Sequence, residues 1–103
     1  AVSGSGPAYF FRILEIMKSI GQELGLPEDL AGNLAKQTAL GAAKMASQSD
    51  LNPSQLREQV TSPGGTTERA LAVFQSEDLE YAFRRAMTSA SERSKEMAKD
   101  FSD

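Results

Sequence analysis

The chain has 103 residues, 40% of them apolar and 24% charged, with a formal net charge of -3, which fits one soluble globular domain. It contains no cysteine and no histidine. That excludes disulfides, thiolate nucleophiles, Ser-His pairs and the commonest metal ligand, so no metal centre is expected. The mild acidity offers no electrostatic footprint for nucleic acid, and no apolar run approaches the roughly 18 residues that cross a bilayer. The start, Ala1-Val-Ser-Gly-Ser-Gly-Pro7, lacks the basic and apolar segments of a secretory signal, and the expected location is cytoplasmic.

Valine and isoleucine are too few to furnish a sheet, whereas alanine occurs fourteen times. Helices are therefore expected throughout. Pro7 suits a first helical turn, and Phe10, Ile13, Leu14, Met17, Ile20 and Leu24 recur at helical spacing before Gly25, a candidate left-handed cap. This helix is apolar nearly all round, so it needs cover on two sides; a second subunit is the expected source. Pro27 opens the second helix, with Glu28 and Asp29 complementing its dipole. Its inward face is expected to be Leu30, Leu34, Thr38, Gly41, Ala42 and Met45, flanked by alanines that permit close approach. Lys36 and Lys44 read as solvated, and the methionines as packing.

Asn52, Pro53 and Gln55 predict a short third helix with a capping box, running to about Val60. The loop Thr61-Ser-Pro-Gly-Gly-Thr-Thr67 leads into a fourth helical stretch from Glu68. Ser76 is expected to cap a last long helix, with Leu79, Phe83, Ala86, Ala90 and Met97 as its seam and Glu80–Arg84 as an outer ion pair. The charged tail from Ser91 is expected to fray. Together these give an all-α class: about five helices in an orthogonal or interlocked bundle completed by a second subunit.

Two motifs bear on chemistry. Gly4-Ser-Gly-Pro-Ala-Tyr9 begins like a dinucleotide fingerprint, but Tyr9 stands where the third glycine belongs and no strand precedes it. The stretch Ser62 to Thr67 is the stronger candidate. Its two glycines allow close backbone approach, and free amides with the hydroxyls of Ser62, Thr66 and Thr67 suit a carboxylate or phosphate. Glycine turns ending in threonine are also common joints, so the residues alone leave a non-enzymatic interaction module open.

Three segments, Ser3-Gly-Ser-Gly-Pro-Ala-Tyr9, Gln37-Thr-Ala-Leu-Gly-Ala-Ala-Lys-Met45 and Val60-Thr-Ser-Pro-Gly-Gly-Thr-Thr67, resemble the carboxy-terminal domain of pyrroline-5-carboxylate reductase in order and spacing. Glu92-Arg-Ser94 is similar to that family's last helix. The resemblance implies an enzyme that reduces 1-pyrroline-5-carboxylate to proline with NADPH or NADH, with a Rossmann domain in the amino-terminal half, absent here. It implies a single helical dimerisation and substrate-binding domain over 1–103, an interlocked homodimer, and decamers in several members. Such a domain alone would be inactive. By the same resemblance, Ser62, Gly64, Gly65, Thr66 and Thr67 would bind the substrate carboxylate. Ser5, Gly6 and Pro7 would lie close to the nicotinamide, and Asp50 would fall where the family often carries an acidic residue near the substrate ring nitrogen, frequently glutamate. A reductase of a related cyclic imine is the remaining enzymatic alternative.

Overall fold

The computed structural model describes residues 1–102. Among them it has five helices and no strand: α1 (Gly6–Glu23), α2 (Glu28–Gln48), α3 (Pro53–Gln59), α4 (Thr66–Ser76) and α5 (Leu79–Ser102). The all-α expectation holds. None of these helices is long and apolar enough to cross a membrane.

The backbone contacts divide the chain into two compact units, one of residues 8–61 and one of residues 1–7 with 62–103. In the first, α1 ends in a paired cap. Leu26 N–H donates to Gly21 C=O at 3.0 Å and Gly25 N–H to Gln22 C=O at 3.0 Å. Gly25 sits at φ +110, a conformation an L side chain resists, so the residue read as a left-handed cap is one. Pro27 lies one position earlier than expected, as the N-cap of α2, and Glu28 and Asp29 then occupy the first turn. Asn52 caps α3 as read: its Oδ1 accepts from Gln55 N–H and its own N–H donates to Gln55 Oε1, both at 2.9 Å.

The inward face of α2 differs from the expected one. Ala31 and Ala35 are buried, at 3% and 6% exposure, whereas Leu30, Leu34 and Met45 are exposed. The reason is close approach. A Cβ placed on Gly21 of α1 would stand 3.3 Å from Ala31 Cβ, so α1 and α2 meet through their smallest residues. Lys18 then reaches across α1–α2 to Glu28 at 3.3 Å, its stem lying over Gly32.

In the second unit the start of α5 also departs from expectation. Ser76 closes α4, its hydroxyl donating back to Val73 C=O at 3.0 Å, so it is unable to cap the next helix. Asp78 takes that role: at φ +56 its carboxylate accepts from Tyr81 N–H at 3.2 Å. The Glu80–Arg84 pair forms at 3.1 Å as expected. The charged tail from Ser91 is helical as far as Ser102, as the end of α5.

Large apolar side chains remain uncovered. Phe10 and Phe11 are 67% and 65% exposed, and Met17 and Ile20 on α1 and Leu79 and Phe83 on α5 are exposed with them. The buried apolar core comprises Ala31 and Ala35. A self-sufficient globular chain hides such side chains, so these faces belong against something else.

Candidate carboxylate-binding loop

The segment between α3 and α4 is a tight turn built by three residues with different duties. Pro63 presets the first corner and Gly64, at φ +72, makes the second. Gly65 N–H closes the turn on Ser62 C=O at 3.0 Å. Gly64 is required by its backbone angle, since nothing lies within 4 Å of a Cβ built there. Gly65 is required by space instead: a Cβ would come 3.2 Å from Ser62 O. Before the turn, Thr61 N–H donates to Glu58 C=O and its hydroxyl to Arg57 C=O, tying the loop entry to the end of α3.

Gly65 is the N-cap of α4, and no side chain caps this helix. Thr66 and Thr67, expected to end the loop, are its first two helical residues. The hydrogen bonds around this start run from Gly65 to Ser62, from Arg69 to Gly65, and from Gly64 N–H to Glu68 Oε1 at 3.2 Å. None of them uses the amides of Thr66 and Thr67. Those amides point along the positive end of the helix dipole, an arrangement that attracts anions. Ser62, Gly64 and Thr66 are exposed, while Gly65 and Thr67 are half-buried.

Ser5, Gly6 and Pro7 group with this loop in one compact unit, although more than fifty residues separate them in sequence. Gly6 is buried, Ser5 half-buried and Pro7 exposed. Asp50 belongs to the other unit and is exposed. Lys36 and Lys44 are exposed too. An open groove of about 190 Å³ between α1 and α2, lined by Phe11, Leu14, Glu15, Lys18, Gly32 and Lys36, contains none of the expected site residues. No cluster of three or more carboxylates suited to a metal ion occurs among the described residues. Glu68 is the residue that sequence reasoning left out of the site; its signal was a glutamate three positions after Gly65.

The family model for pyrroline-5-carboxylate reductase dimerisation matches residues 1–97. The chain belongs to this family. Its relatives include a pyrroline-5-carboxylate reductase of Pseudomonas aeruginosa, 51% identical over 98 residues that cover 95% of this chain and 36% of that protein. A solved pyrroline-5-carboxylate reductase from Coxiella burnetii superposes with a TM-score of 0.89 at 48% identity, over 92% of this chain and 35% of the other. The Plasmodium falciparum pyrroline carboxylate reductase, solved with NADP bound, gives a TM-score of 0.89 at 35% identity, over 93% and 38%. The chain thus spans about a third of the length of the relatives it matches.

Proposed function

We propose that this chain is the dimer-forming, substrate-binding part of an enzyme that reduces 1-pyrroline-5-carboxylate to L-proline with NADPH or NADH. The observation that carries the reading is the Ser62–Thr67 turn at an uncapped helix start, within a chain matched along residues 1–97 by the reductase dimerisation family. The loop binds the substrate carboxylate: the amides around Gly64, Gly65 and Thr66 and the hydroxyls of Ser62 and Thr67 are its donors, and the two glycines let the ligand come close. The described residues are helix and turn, without the strand–helix–strand unit that holds a dinucleotide, so the cofactor is held mainly outside this chain. Ser5, Gly6 and Pro7 are the residues of this chain that would face its nicotinamide ring. When bound, the nucleotide supplies a hydride to the imine carbon while the ring nitrogen takes a proton. This chain's part is to hold the ring in line for that transfer, which needs alignment more than a strong base.

Two copies of the chain form the scaffold. The bare faces of α1 and α5, with Phe10, Phe11, Met17, Ile20, Leu79 and Phe83 exposed on them, are the surfaces a second copy covers. Light scattering at micromolar concentration is expected to give twice the mass of the chain; a monomer would count against the interlocked arrangement.

The carboxylate assignment is tested in the full-length reductase by Thr67→Ala. KM for 1-pyrroline-5-carboxylate is expected to rise about tenfold, as for loss of a charge-assisted hydrogen bond. Unchanged steady-state kinetics would remove the loop assignment and leave a helical interaction module as the better reading.

A further inference from the structure

Resting on the carboxylate-loop reading, we propose that Glu68 sets the loop's affinity by competing with the ligand: its own carboxylate holds the Gly64 amide, and a substrate carboxylate binds by displacing it. Glu68 Oε1 accepts from Gly64 N–H at 3.2 Å, closing a ring over the five residues Gly64 to Glu68. The same chemical group that the loop is built to take is therefore already present on it, carried by the third residue of α4.

Three features make this a competitor and not only a brace. The amide it occupies belongs to Gly64, whose backbone lies at φ +72 and is aimed by the turn itself, so the turn does not need Glu68 to close. Gly65 N–H and Ser62 C=O already supply that closure at 3.0 Å. Glu68 is exposed and forms no ion pair among the described residues, so its side chain can swing into water without leaving a partner behind. Its charge also sits in the first turn of α4, where the helix dipole favours an anion and where a second carboxylate would meet like-charge repulsion.

The consequence is arithmetic. A ligand that needs an amide occupied for a given share of the time binds more weakly by the fraction left free. An internal carboxylate engaged between half and nine-tenths of the time lowers affinity about two- to tenfold. It lowers it for ligands that need the Gly64 amide, and most for anionic acceptors, which gain most from that bond. Glu68 is thus a specificity-determining residue that loosens both the substrate and the amino-acid product, which carries the same carboxylate.

The test uses the full-length reductase with Glu68→Ala and Glu68→Gln. KM for 1-pyrroline-5-carboxylate and the inhibition constant of L-proline are expected to fall about two- to tenfold in Glu68→Ala and less in Glu68→Gln, which keeps an acceptor oxygen. Inhibition by L-prolinamide, whose carboxamide oxygen is a neutral and weaker acceptor, is expected to tighten less than that by L-proline. An unchanged or raised KM overturns the proposal, as does equal tightening of L-proline and L-prolinamide. Thr67→Ala is measured in parallel. If it weakens carboxylate binding while the Glu68 variants behave as wild type, the loop reading stands and the competition fails. If Thr67→Ala leaves carboxylate binding unchanged, the loop reading fails and the competition with it.

Discussion

Two helix starts in this chain meet the same backbone demand in opposite ways. At α3, Asn52 and Gln55 exchange side-chain and backbone hydrogen bonds at 2.9 Å in both directions, and Pro53 removes a further donor by having none. At α4 there is no side-chain cap, and the carboxylate that does approach holds the residue before the N-cap. The first start is closed on itself and acts as a joint. The second keeps donors on offer, which is what a ligand site requires. Glycine and threonine at a turn are therefore not informative by themselves; what matters is whether the neighbouring side chains have already consumed the amides.

That contrast can be broken at three points. The largest effect on stability is expected from Gly64→Ala. The added methyl meets nothing within 4 Å, yet the left-handed backbone costs about 1–2 kcal/mol, read by chemical denaturation. Asn52→Ala is expected to cost about 1 kcal/mol through the lost capping box, with KM unmoved. Should Asn52→Ala shift KM as far as Thr67→Ala does, the two starts are not functionally different. The smallest effect is on the stability of Thr67→Ala, expected within about 0.5 kcal/mol because no side chain caps α4. A loss as large as that of Asn52→Ala would make Thr67 a structural cap after all.

Much of the fold is legible because its punctuation is local. Gly25 and the Asn52–Gln55 box act within a few residues of themselves, and each is where the sequence puts it. The misreadings concern choices between neighbours. Ser76 and Asp78 are both competent caps, and the decision rests on Ser76 turning its hydroxyl back to Val73, a local bond that competes with capping. On α2 the leucines suggest the inward stripe by hydrophobicity, but the distance between α1 and α2 is set by Gly21, and at that distance alanine fits and leucine does not. The loop from Ser62 to Thr67 is visible as a motif, whereas the hold of Glu68 on Gly64 depends on a side-chain rotamer that spacing cannot specify.

The contact between Gly21 and Ala31 has a consequence for how this sequence can drift. With 3.3 Å left between a Cβ at position 21 and the methyl of Ala31, the two positions share one allowance of volume. A larger residue is tolerated at one only where the other is glycine. Across descendants of this chain the two sites should therefore vary as a linked pair, ten residues apart in sequence and inherited as a single choice.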